Sequence, residues 1–160
     1  MDKLWAPWRI NYIKTCHKVK GCIFCNFLRQ KNDKKNLVLL RSKHSVCLLN
    51  KYPYNNGHLL ICPKKHVKEL GLLSNEELLD IMSLLNNCQS LLQKTLNPDG
   101  FNIGMNLGPA AGAGIPDHVH MHMVPRWNED TNFMPVLFDT KIISQSLEEL
   151  YAQLHRNIRK

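Results

Sequence analysis

His118-Val119-His120-Met121-His122-Met123-Val124-Pro125 spaces three imidazoles two residues apart, with apolar side chains between them. Side chains on a strand repeat every two residues, so the three rings fall on one face and Val119, Met121 and Met123 on the other. A helix would scatter them around its axis. The pattern predicts a strand over residues 118–124, ended by Pro125, with its apolar face in a core. Packing is a poor account of the other face, because each buried imidazole needs polar partners or water. Imidazoles in a row can bind metal, carry protons or attack phosphorus.

Just upstream stand Gly100, Gly104, Gly108, Gly112 and Gly114, five of the chain's 8 glycines. Such a loop admits positive φ, and its exposed N–H groups can cradle phosphate oxygens. It matches neither a Walker A motif nor a dinucleotide fingerprint, so alone it reads more readily as a flexible turn. Beside three histidines it becomes a candidate phosphate loop.

Working outward, residues 74–96 predict the longest helix. Ser74 and Glu77 offer a capping box, and Leu78, Ile81, Met82, Leu85, Cys88 and Leu92 recur at helical spacing. Asn97-Pro98-Asp99-Gly100 stops it. Residues 37–40, 46–49, 58–63 and 101–107 read as further strands, with a turn at 53–57 making a hairpin of 45–63. Short helices are expected over 22–28 and 145–155. Five strands and one long helix, with little β-α alternation, predict an α+β fold. Its sheet is mostly antiparallel and five-stranded, with one long and one or two short helices. A length of 160 residues suits a single domain spanning 1–160, with residues 1–20 and 136–160 as extensions.

A composition 44% hydrophobic and 21% charged excludes wholesale disorder. The formal net charge is +8, unevenly placed: residues 1–68 hold 15 basic and 2 acidic side chains, residues 69–160 hold 6 and 11. A basic half predicts an anionic partner such as a nucleotide, nucleic acid or phosphate ester, although lysines such as those at 31–35 also read as solvated surface. No run has the apolar length of a membrane span. The opening MDKLWAPWR lacks an apolar core followed by a cleavage site, so a cytoplasmic protein is expected. Six cysteines then read as thiols or metal ligands, with Cys47, Cys62 and Cys88 as small core residues.

The His-x-His-x-His pattern with hydrophobic x resembles the histidine triad (HIT) superfamily. Asn50 to His58 with Pro63-Lys64-Lys65-His66 resembles that family's first half-site, and residues 108–118 resemble its glycine loop. Trp5-Ala6-Pro7-Trp8-Arg9, with Val124-Pro125-Arg126-Trp127 and Asn132-Phe133-Met134-Pro135, is more similar to a bacterial branch related to diadenosine tetraphosphate phosphorylases and hydrolases.

The resemblance implies a homodimeric nucleotidyl hydrolase or transferase acting on nucleoside or dinucleoside polyphosphates. The middle histidine, His120, would be the nucleophile and form a nucleotidyl-histidine, with His122 and loop N–H groups stabilising phosphoryl oxygens. Asn50 matches a position contacting the ribose. Ile23, Phe24, Phe27 and Leu48 match positions enclosing the base, where core packing is the competing reading. Asn106, Gly112, Ala113 and Gly114 match the phosphate site. Related hydrolases often carry Gln, Ser or Thr near Ala113 or Gly114, so the chain departs from them. That departure points to phosphate as second acceptor.

Cys22-Ile23-Phe24-Cys25 is a lone C-x2-C. It reads as a redox pair without the usual βαβ context, as two unrelated thiols, or as half of a tetrahedral zinc site completed by histidines. In zinc-containing members of the resembled family the partners match His66 and His118, which implies structural zinc. The rival reading is a non-catalytic, zinc-stabilised nucleotide- or RNA-binding module; a membrane partner is not expected and nucleic acid is the less favoured ligand.

Overall fold

Ser45–Leu49 and Leu59–Pro63 are apolar runs buried along their whole length, as expected of strands covered on both faces. In the computed structural model, which describes residues 21–30, 32–128, 130 and 143–158, they form β2 and β3. With β1 (Val38–Arg41), β4 (Gly100–Gly104) and β5 (Met121–Arg126) they make one sheet of order β1-β2-β3-β5-β4. Every neighbouring pair is antiparallel. The helices are α1 (Ile23–Gln30), α2 (Asn75–Leu96) and α3 (Leu147–Ile158). The fold is α+β with a five-stranded sheet, as the strand and helix patterns predict. The segments around Trp5–Arg9 and 132–135, Cys16, the whole of the 1–20 extension, and residues 136–142 and 159–160 of the other lie outside the described residues.

The sheet separates two cores. Leu49, Leu59, Ile61, Val119 and Met123 face α2 and α3, where Ile81, Leu84, Leu85, Cys88 and Leu92 meet them. Val46, Leu48, Leu60 and Cys62 face the other way, against Phe24 of α1. α2 keeps the expected bounds because its cap forms: Ser74 Oγ accepts from Glu77 N at 3.2 Å, and Glu77 Oε2 accepts from Ser74 N at 2.8 Å. One expected core position fails. Met82 is 54% exposed, because the buried stripe runs through Leu84 and Leu91 instead.

The triad strand is displaced from its expected position. β5 starts at Met121, so His118 and His120 precede it, His118 at a bend. The register pairs Ile61 with Met121, and two residues on the partner position is Pro63. Proline has no N–H to offer, and Pro63 O is taken by His118 Nε2 at 2.9 Å, so the ladder stops. Pro125 lies inside β5 rather than ending it. Its carbonyl accepts from Asn55 beyond the end of β3, so its missing N–H faces no partner strand. β4 ends at Gly104, short of Leu107. α3 starts later than expected, where Ser146 Oγ accepts from Glu149 N at 3.2 Å.

Gly57 requires its residue type. Its φ is +77°, and a Cβ there would meet Leu96 Cδ1 at 2.8 Å and Pro125 Cγ at 3.0 Å. The 53–58 turn is thereby packed between the end of α2 and β5.

Candidate functional site

Four imidazoles gather on the α1 side of the sheet. His122 pairs with Leu60, whose side chain faces α1. The His120 and His122 ring centroids lie 5.0 Å apart, and the edge of Phe24 abuts His118 at 5.2 Å and His120 at 5.1 Å. His58, at the head of β3, closes on His122 with Nε2 2.9 Å from His122 Nδ1. His118 and His58 are fully buried and His120 is 5% exposed.

Partners that only donate or only accept determine the proton positions. His120 Nδ1 lies 2.9 Å from His118 O, and a carbonyl oxygen only accepts. Nδ1 therefore carries the proton, and in the neutral ring Nε2 holds a bare lone pair. His118 Nε2 faces Pro63 O, so its lone pair is at Nδ1. His58 Nδ1 receives Tyr54 N–H at 3.1 Å. Asn50 Oδ1 accepts from Tyr52 N at 2.9 Å, which turns Asn50 Nδ2 toward His58 Nδ1 at 3.2 Å. Nδ1 of His58 is thus an acceptor, its Nε2–H donates to His122 Nδ1, and His122 carries its proton on Nε2.

Burial holds the four rings neutral. Burial pushes His58 down from 6.5 to about 3, with His122 and His120 adding repulsion. Burial pushes His122 down to about 4. It lowers His120 and His118 too, against the opposing effect of their carbonyl partners.

Cys22, Cys25, His66 and His118 bring one ligand atom each within 4.8 Å of one another. His118 Nδ1, the nitrogen with the lone pair, lies 3.3 Å from His66 Nδ1, 3.2 Å from Cys22 Sγ and 3.7 Å from Cys25 Sγ. Cys25 Sγ lies 3.4 Å from His66 Nδ1.

The remaining candidates divide. Ile23 and Phe27 pack partly buried against the cluster of Phe24, Leu48 and Leu60. Phe24 and Leu48 are themselves buried, Phe24 beneath the imidazoles. Asn50 is tied to His58. Asn106 Nδ2 spans the glycine loop to Gly112 O at 3.4 Å, and Gly112 adopts φ +82°. Ala113 and Gly114 follow in that loop, which feeds into the triad where His118 N donates to Ile115 O. The sequence reading left His58 without a role. The available signal was its parity with Leu60 and Cys62 along the strand.

Residues 31–129 match the family model described as the HIT domain. The chain belongs to the HIT family. This HIT protein is 33% identical over 156 residues to an AP-4-A phosphorylase of Mycobacterium tuberculosis, covering 93% of this chain and 80% of that one. It is 33% identical over 110 residues to an adenosine 5′-monophosphoramidase of Schizosaccharomyces pombe, covering 69% of this chain and 77% of that one. The crystal structure of a Zn-bound histidine triad family protein from Mycobacterium smegmatis shares the fold, with TM-score 0.70 and 24% identity over 87% of this chain and 94% of that one.

Proposed function

We propose that this HIT protein is a nucleotidyl hydrolase or transferase that acts on the α-phosphorus of nucleoside or dinucleoside polyphosphates through a nucleotidyl-His120 intermediate. The observation that carries this reading is the proton on His120 Nδ1, held by His118 O at 2.9 Å. It leaves Nε2 free to form an N–P bond while the bond from phosphorus to the leaving oxygen breaks. His122, protonated on Nε2 and backed by His58, donates to a phosphoryl oxygen as charge builds there. A second acceptor then takes the nucleotidyl group and restores neutral His120. Asn106 and the backbone of Gly112, Ala113 and Gly114 supply the phosphate contacts. Ile23, Phe24, Phe27 and Leu48 form the apolar side toward the base, and Asn50 meets the ribose through its carbonyl oxygen.

The acceptor is inorganic phosphate. Ala113 and Gly114 offer no side-chain donor, and the similarity to an AP-4-A phosphorylase extends over nearly the whole chain. Diadenosine tetraphosphate with millimolar phosphate should yield ADP plus ATP faster than without it. A rate indifferent to phosphate, with AMP plus ATP as products, makes the protein a hydrolase. Tight nucleotide binding with no turnover makes it a binding module.

Cys22, Cys25, His66 and His118 hold a structural zinc. Tetrahedral Zn–S near ~2.3 Å and Zn–N near ~2.05 Å give N···N edges of about 3.3 Å and S···N edges of about 3.6 Å. The cluster's own N···N spacing of 3.3 Å and S···N spacings of 3.2–3.7 Å fit that ion. The zinc ties α1 to the chain entering β5. The protein works as a homodimer in the cytoplasm.

A further inference from the structure

A second polar network meets the triad strand at its far end. Asn55, in the 53–58 turn, is 6% exposed. Its Nδ2 donates to Pro125 O at 3.0 Å and to Asp130 Oδ2 at 3.0 Å, using both hydrogens. The Asp130 side chain is itself only 6% exposed. It accepts from Arg126 Nε at 2.6 Å, Arg126 Nη2 at 3.0 Å and Trp127 N at 3.3 Å. Arg126 Nη1 also donates to Asn102 Oδ1 on β4 at 2.8 Å. A carboxylate so enclosed is tolerated only because a guanidinium and neutral donors surround it.

The residue before Asn55 is Tyr54, whose backbone N–H donates to His58 Nδ1. The Asn55 carbonyl accepts from His58 N at 3.2 Å. The Tyr54 ring packs over His58 with centroids 4.8 Å apart, and over His122 at 6.0 Å and 22°. The turn thus grips His58 by its main chain and its ring nitrogen, while Asn55 is clamped to the end of β5. Asn50 also donates to His58, from the other end of the turn, but at a longer 3.2 Å.

We propose that Asn55 and Asp130 are positioning residues: they pin the 53–58 turn to the end of the triad strand, keep the Tyr54 amide on His58 Nδ1, and so hold His58 and His122 in the single Nε2–H tautomer. The consequence for turnover rests on the triad being the reacting site; the tautomer itself does not. If the turn lifts, His58 Nδ1 loses one of its two donors, the Tyr54 N–H, and is left with Asn50 Nδ2 alone, so the reversed direction of the His58–His122 pair becomes partly populated. In the reversed direction His122 Nε2 becomes an acceptor facing phosphoryl oxygens, which repels them.

Histidine side-chain nitrogen shifts, measured without substrate on uniformly 15N-histidine-labelled full-length protein, read the tautomers directly. The wild type should show Nε2–H for His58 and His122 and Nδ1–H for His120. Asn55→Ala should mix Nδ1–H into both His58 and His122 and leave His120 unchanged. With diadenosine tetraphosphate its kcat should fall roughly 10- to 100-fold with KM nearly unchanged, as for lost partners that orient a reacting histidine. If Asn55→Ala does not fold, Asp130→Asn is read in the same way and should show the same mixing. Folded variants with wild-type tautomers would overturn the proposal, as would mixed tautomers with full turnover. Mixed tautomers in a protein whose wild type has no turnover would support the positioning role and instead defeat the reading as an enzyme.

Discussion

His118 O and Pro63 O each stand 2.9 Å from a ring nitrogen, and because a carbonyl can only accept, the two neighbouring imidazoles are set as opposite tautomers. His118 turns Nδ1 to the Cys22–Cys25 cluster, and His120 keeps its lone pair on Nε2. Two residues of one type, two positions apart, are thereby set with their lone pairs on different ring nitrogens. Replacing His120 with Gly should lower turnover at least about 10³-fold while nucleotide affinity stays within about tenfold, since only the covalent step needs the ring. A radiolabelled nucleotide trapped on denatured wild type and absent from the variant is the check; labelled variant protein refutes the assignment. The neutral rings also set an acid limit. In the unfolded chain His58 and His122 protonate near 6.5, but in the fold only near about 3 and about 4. Between those values the unfolded state binds more protons, so this contribution to stability is whole above 6.5 and is lost as pH falls toward 4 and then 3. Urea midpoints should therefore drop as pH falls from 6.5 to 4, and His58→Gln should flatten that slope.

At the scale of the element, α1 is eight residues long and buries only Phe24. A helix this short is marginal by itself and is held by the packing of Phe24, Ile23 and Phe27 against the sheet, to which the proposed zinc would add a second anchor. At free zinc of about 100 times Kd the proposed ion would add about 2.7 kcal/mol, which for a chain of this size is about 5–10 °C in Tm. Chelation of the wild type should lower Tm by that amount, and Cys22→Ser should start low and respond little to chelator; equal Tm values with and without chelator count against the site. This element also marks the limits of what was legible. The C-x2-C was visible, but spacing alone could not say which two of eight histidines join it, because His66 and His118 meet only through sheet pairing. α2 was legible to within a residue, since its cap is a local Ser74–Glu77 exchange. β5 was legible in its alternation but not in its bounds. Those depend on Pro63 across the register and on Asn55 receiving Pro125, neither of which is local. His58 was hidden for the same reason: its role exists only where β3 meets β5.

Across the whole molecule the opposite charges of the two halves meet along α2. Lys43 pairs with Glu76 at 2.5 Å and Lys65 with Glu77 at 3.7 Å, so part of the basic excess of residues 1–68 is spent on the acidic helix. These are exposed pairs that contribute little to stability, but they narrow the basic surface expected from the sequence. Several large apolar side chains are also exposed. Leu79 is 68% exposed, Met82 54%, Leu107 48% and Ile103 43%. Ile103 lies on β4, an outer strand of the sheet, and Met82 lines a cavity of about 120 Å³ with Leu78, Ile81 and Met105. Among the described residues no strand pairs with the outer edge of β4; an edge of that kind beside exposed apolar side chains invites a partner, and a second copy offers the same edge and the same side chains in self-complementary form. The proposed homodimer should therefore form through β4 and the outer face of α2. Light scattering should give twice the 18.5 kDa chain mass for the wild type. Ile103→Lys, which buries an unpaired charge at the centre of that face, should return the mass to one chain without changing the zinc content. A wild type that stays monomeric at high concentration, or an Ile103→Lys variant that stays dimeric, would exclude this interface.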